Sequence, residues 1–281
     1  MMNYQQIITR LDDFPTLPTI YSSLLDAISN PRSTVQDVAD IISKDQSSSI
    51  KLLKVVNSSI YGFKTRIDTV SQAIFLLGFN EVKNIVLSLS VFQIFNSINS
   101  QSKFSVVDLW KHSIGVAVVS RLLGVTLGIK NVENYFLAGL MHDIGKLVFF
   151  KLFPDEYSKA VDDAFNSNIR IKDSEKKLFV IDHDILGDLL AEKWKLPISI
   201  RNSIKHHSSG SIDGKIDIQV ACVHLANVIT SLLELGNSGD DIVDEPNYNI
   251  WNELSFKENS LKGLYEQITL QYEQSLSILT L

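Results

Sequence analysis

Through the first hundred positions apolar residues recur at three- and four-residue intervals with breakers between the runs, which predicts a series of short helices. Ile20, Leu24, Leu25 and Ile28 form one stripe, which follows Pro15 and Pro18 and ends before Asn30-Pro31, where proline disfavours further helix. Thr34 is placed to cap a helix carrying Val35, Val38, Ile41 and Ile42. Asp45 is placed to start another with Ile50, Leu53 and Val56. Thr69 can cap a fourth with Val70, Ile74 and Leu77, and Gly78 fits the left-handed residue that closes a helix. Val82, Ile85, Val86, Leu89, Phe92 and Phe95 mark a longer buried helix.

Around residues 97–105 the composition shifts to Asn, Ser and Gln, which reads as a connection between two helical halves. Helical spacing resumes near 107–127, 132–152, 155–167, 174–194, 198–206 and 216–234. A polar interval over 236–249 precedes a last amphipathic helix near 256–279. With Leu261, Leu264, Ile268 and Leu270, that helix either closes the core or pairs with a second copy of the chain. No strict alternation marks a strand, and no fixed period marks a repeat. The expected fold is all-α, a two-lobed helical bundle with an N-terminal lobe over 1–100, a second lobe over 101–235, and a polar loop and helix over 236–281.

Composition narrows the function. The 281 residues are 45% hydrophobic and carry 26 Lys+Arg against 32 Asp+Glu, a net charge of −6. There is no basic field for a nucleic-acid groove. No stretch of roughly 18 apolar residues predicts a membrane span. The opening residues Met1 to Gln6 lack the basic and apolar regions of a secretory signal, so a cytoplasmic location is expected. Cys222 is the one cysteine, which excludes an internal disulfide and reads as a small buried apolar residue. Trp110, Trp194 and Trp251 read as packing anchors, and the mixed charge run from Lys172 to Lys177 as a solvated helix start. The six histidines all lie at or beyond residue 112.

The sharpest local feature is Gly139-Leu140-Met141-His142-Asp143-Ile144-Gly145-Lys146, inside an apolar helical run. Neighbouring helix residues point about 100° apart, so His142 and Asp143 can both reach an ion at the edge between their faces. Imidazole with carboxylate suits a first-row divalent ion, although taken alone such a buried pair is more often a structural hydrogen bond. His112 lies on the preceding helix, while His183, then His206-His207, then Asn227 follow on later ones. Bundles build metal sites by projecting ligands inward from several helices in this way. His224 stands outside the series and reads as a core or surface histidine.

The order His, His-Asp, His, His-His, then a carboxylate position resembles the HD superfamily of metal-dependent phosphohydrolases. More specifically the chain resembles the HDOD family, the HD-related output domain of bacterial signalling proteins. The likeness runs through Leu17-Pro18, Asp37 to Asp45, Leu53 to Ser58, Ala73 to Gly78, Gly139 to Lys146 and Trp194 to His207, covering roughly residues 10–230. It implies metal-ligand positions at His112, His142, Asp143, His183, His206, His207 and Asn227. Asp143 would be the bridging, catalytic carboxylate, and Lys146 a cationic clamp near a substrate phosphate. It also implies one or two divalent ions (Fe, Mn, Mg, Zn or Ni) and no organic cofactor.

Two departures matter. Asn227 stands where catalytic relatives carry aspartate, so a neutral, weaker ligand removes one negative charge. The Gly-Tyr-Pro element of related cyclic-dinucleotide phosphodiesterases is absent after His207. The resemblance therefore implies a regulatory module working through a signalling protein partner and catalytically weak or inactive. The alternatives are a metal-dependent phosphohydrolase and a degenerate pocket for a nucleotide or phosphate ligand. No receiver or DNA-binding domain is evident in the length, so input is expected through another chain.

Overall fold

The structure, a computed structural model, describes residues 4–58, 61–98, 105–240, 242–243, 245–256 and 263–279. Among these residues the chain is helical, with an isolated bridge between Ile212 and Lys215 and no strand. The fold is all-α. No helix among the described residues is long and apolar enough to cross a membrane. Contacts divide the chain into two compact units, and the division does not follow chain order: Thr16–Ile94 groups with Thr269–Leu281, and Met1–Pro15 with Phe95–Ile268.

The unit centred on Thr16–Ile94 contains α2 (Thr19–Ser29), α3 (Val35–Ser43), α4 (Gln46–Val56), α5 (Val70–Leu77) and most of α6 (Phe79–Asn96). Its helix starts are where the side-chain oxygens predict. Thr34 and Asp37 form a reciprocal capping box on α3, and Asp45 and Thr69 cap α4 and α5. Gly78 closes α5 at φ +83°. Leu24, Val38, Ile42, Leu52, Val56 and Ile74 form the core. Beyond α4, Asn57 clasps the chain, its amide donating to the Ile67 carbonyl at 2.7 Å while its oxygen accepts from the Ile67 amide at 2.8 Å.

The other unit is built on α7 (Val106–Thr126), which is apolar around much of its circumference and therefore central. α8 (Glu133–Met141) and α14 (Ile218–Leu232) pack on it. Gly139 permits the first approach, because a Cβ there would lie 2.7 Å from the Val116 carbonyl oxygen. α9 (Ile144–Leu152) meets α12 (His183–Lys193) more closely still: a Cβ on Gly145 would collide with the His183 carbonyl, and one on Gly187 would press on Ile204. α10 (Pro154–Ser167), α11 (Ile171–Phe179), α13 (Ile198–His206) and α15 (Tyr248–Leu254) complete the unit, and α16 (Leu264–Leu279) follows. The short α1 (Tyr4–Leu11) belongs here as well. Arg10 donates to the Leu152 carbonyl, Lys193 to the Leu11 carbonyl and Asp12, and the Trp194 indole to the Pro15 carbonyl.

Four expectations change. The run over 132–152 is two helices, broken at His142-Asp143, and the run over 174–194 is two, broken where Val180 adopts φ +68°. Apolar spacing continues through both breaks, so periodicity does not reveal them. A short helix not expected from the sequence, α15, begins at the end of the polar interval, and the expected start of the last helix near 256 falls partly on 257–262, outside the described residues. Trp110 and Trp194 are buried against Phe95 and Phe14, but Trp251 is substantially exposed.

Candidate metal centre

The break between α8 and α9 is what presents the His142-Asp143 pair. Both side chains are almost fully buried, at 0% and 1% exposure. α7 brings His112, the start of α12 brings His183, the residue after α13 brings His207, and α14 brings Asn227. The donor atoms fall into two groups, His112 with His142 and Asp143, and Asp143 with His183 and His207, each group having its atoms within 4.8 Å of one another. Asp143 is common to both.

The imidazoles are oriented from behind. The Nδ1 proton of His142 goes to the Gly139 carbonyl at 2.7 Å, and that of His207 to the Ile204 carbonyl at 2.8 Å. His183 Nδ1 is 2.6 Å from Glu175 Oε2, which also accepts the His183 backbone amide. Such outer partners set the tautomer and turn Nε2 inward. His112 Nε2 lies 2.9 Å from Asn227 Oδ1.

Two buried atoms in this cluster, His142 Nε2 and Asp143 Oδ1, have no hydrogen-bond partner. Leaving a buried polar atom unsatisfied costs about 1–3 kcal/mol, and a cation would satisfy both. Three of the donors are already in the form that ligates one. Burial holds the His112 and His207 imidazoles down to about 3, hence neutral and able to ligate. Burial would raise Asp143, but the neighbouring His142 and Lys146 outweigh it and hold the carboxyl well below its ordinary value. Burial opposes charge on His183 too, yet the Glu175 carboxylate prevails and pushes it up to about 9, so an ion bound at Nε2 would have to displace that proton. The residues present therefore fit a divalent metal ion.

Lys146 is buried and turned onto protein. Its ammonium donates to Asp143 Oδ2 and to the Ser238 carbonyl, each at 2.9 Å, and lies 3.6 Å from Asp240. Asp240 in turn accepts the Ile171 amide. Gly236, at φ +77°, lets this loop lie against the α7 backbone at His112, where a Cβ would collide. Among the described residues, a cavity of about 40 Å³ adjoins the centre, lined by Lys146, Lys172, His183, His207, Asn227 and Asp240 among others. That is room for one or two waters.

His206 lies in neither donor group. It is half-buried at the end of α13, and its carbonyl accepts the amides of Ser209 and Gly210. His224 is structural, donating from Nδ1 to the His207 carbonyl and accepting the Asn247 amide at Nε2. Sequence reading missed Glu175, Asp184 and Asp240. Glu175 belongs to the run taken for a solvated helix start, yet it is fully buried and also accepts the Tyr157 hydroxyl. The signal was present, since Ile171, Ser174, Glu175 and Phe179 share one helical face.

A helical unit with histidines and an aspartate converging from five helix ends and faces defines a class, the helical proteins built around a histidine-aspartate centre. The HDOD domain matches residues 14–209, and the chain belongs to the HDOD family. An uncharacterized protein of Treponema pallidum is 26% identical over 230 residues, covering 81% of this chain and 44% of that protein. The uncharacterized protein YuxH of Bacillus subtilis is 30% identical over 128 residues, covering 46% of this chain and 30% of YuxH. The chain thus spans less than half the length of either.

Among solved structures, an HDOD domain protein of unknown function from Geobacter sulfurreducens superposes with a TM-score of 0.76 at 22% identity, over 98% of both chains. A protein from Shewanella amazonensis, provisionally named a phosphohydrolase, gives 0.74 at 22% identity over 98% of this chain and 97% of its own. One from Marinobacter aquaeolei, provisionally named a signal transduction protein, gives 0.73 at 20% identity over 95% of this chain and 59% of its own. At these identities the likeness speaks for the fold.

Proposed function

We propose that the chain is a regulatory HDOD module that signals through contacts with a protein partner, with a metal centre that organises its helices and little or no hydrolytic activity. The observation that supports this most is the closure of the centre. Lys146, which the family resemblance implies as a phosphate clamp, is bound to Asp143, Ser238 and Asp240, and the adjoining cavity of about 40 Å³ is far too small for a nucleotide. Asn227 adds to this, because a neutral amide beside His112 leaves that half of the centre short of negative charge.

In this reading Asp143, His183 and His207 hold a divalent ion, and His112 and His142 provide a second, weaker position. A bound ion would supply Lewis acidity and an acidified water. The chain's own groups then limit what that could achieve: Lys146 neutralises Asp143, and the 236–240 loop keeps phosphoesters out. The test is turnover of bis-p-nitrophenyl phosphate and of cyclic dinucleotides by protein of measured metal content. The expected result is no hydrolysis above background, and rates near the ordinary enzymatic median of about 10 s⁻¹ would overturn the proposal.

A second reading, a metal-dependent phosphohydrolase, draws support from the unpartnered inward atoms His142 Nε2 and Asp143 Oδ1. It requires displacement of the loop, and it predicts that Asp143→Ala abolishes metal and turnover together.

A further inference from the structure

The dipeptide His-Asp occurs twice, as His142-Asp143 and as His183-Asp184. Asp184, in the first turn of α12, is 3% exposed. Its Oδ2 is gripped by the Lys172 ammonium, which turns Oδ1 the other way. That oxygen lies 3.1 Å from His183 Nε2 and 3.6 Å from His207 Nε2. Asp143 Oδ1 lies 3.4 Å and 3.6 Å from the same two nitrogens. Two carboxylate oxygens thus bracket two inward imidazole nitrogens, one from each His-Asp pair.

These four carboxylate–imidazole separations, 3.1–3.6 Å, are what neighbouring donors of one ion show. Metal bonds of 2.0–2.2 Å from imidazole and carboxylate place neighbouring tetrahedral donors about 3.4 Å apart. Among the described residues, Asp184 Oδ1 accepts the Ser208 hydroxyl at 3.2 Å, and Asp143 Oδ1 has no hydrogen-bond partner.

We infer that Asp184 is a ligand of a single divalent ion held with Asp143, His183 and His207, supplying the second carboxylate that Asn227 does not supply to the other half of the centre. This rests on the metal-centre reading above. Lys172 is then a positioning residue, fixing the free oxygen of a ligating carboxylate.

The test uses the full chain, stripped with chelator and titrated with zinc against a chromophoric competitor, and with cobalt for its visible spectrum. The wild-type chain should bind one ion tightly and give the intense absorption of four-coordinate cobalt. Asp184→Asn, folded by circular dichroism, should bind zinc about 100-fold more weakly, the upper end of what loss of an outer partner alone costs, and lose that absorption. Asp184→Cys should show a cobalt–thiolate charge-transfer band, which a residue that merely packs nearby cannot produce. Asn227→Asp should add a second equivalent without altering the first.

Unchanged zinc affinity and cobalt spectrum in folded Asp184→Asn, or a folded, cobalt-loaded Asp184→Cys without the thiolate band, would overturn the assignment while leaving the centre standing. A wild-type chain that binds no ion would overturn the centre and the assignment together.

Discussion

Glu175 is the residue on which the geometry of the centre depends most without facing it. It takes both the amide and the Nδ1 proton of His183, so Glu175→Gln keeps the shape but weakens the acceptor that makes His183 a strong ligand. We expect zinc affinity to fall about 10–100-fold, read by chelator competition, with the helical signal unchanged. The same carboxylate sets a pH dependence. His183 is raised from an ordinary 6.5 to about 9 in the metal-free chain, so its contribution to stability is fully present below pH 6.5 and is lost as pH rises through 9. Urea midpoints of the metal-free protein should therefore decline over that window, and decline less in Glu175→Gln. Cys222 is a control of a different kind: burial pushes its thiol up to about 12, so a disulfide reagent at pH 8 should leave it unmodified until the chain is unfolded. Its character was legible from composition. Glu175 was not, because a charge in a charged run looks solvated until the opposite apolar neighbours are seen to share its face.

At the level of elements, what local chemistry specifies was legible and what distant packing specifies was not. Thr34, Asp45 and Thr69 start their helices in the structure as their hydroxyl and carboxylate oxygens predict, and Thr34→Ala should cost about 1 kcal/mol in denaturant unfolding. The break at Asp143 left no comparable mark, whereas the one at Val180 is followed by Asp182, whose carboxylate caps α12 by accepting the Ile185 amide, a signal that the unbroken apolar periodicity masked. Their origin is the close passage of α9 past α12, permitted by Gly145 and Gly187. Gly145→Ala would drive a methyl group into the His183 carbonyl, and the backbone shift needed to relieve it is worth about 1–3 kcal/mol. A melting point equal to wild type would contradict that packing. Because His183 itself carries the carbonyl, metal affinity should fall in the same variant. The dipeptide at 142–143 was recognisable by its letters, but the junction that exposes it was not.

For the whole molecule, a metal bound to the native state raises stability by mass action. Free zinc at 100 times its dissociation constant adds about 2.7 kcal/mol, or roughly 5–10 °C for a chain of this size, and chelator should remove the gain. No shift on adding zinc, manganese or iron would count against a resident ion. The first fifteen residues bear on how such experiments are designed. They group with Phe95–Ile268, held by Arg10 on Leu152, Lys193 on Leu11 and Trp194 on Pro15. A fragment beginning at residue 95 would therefore expose the seat of a missing helix. Supplied separately as a peptide, residues 1–15 become a ligand for that seat, and their saturable rescue of the fragment's melting point would turn an intramolecular contact into a measurable binding constant.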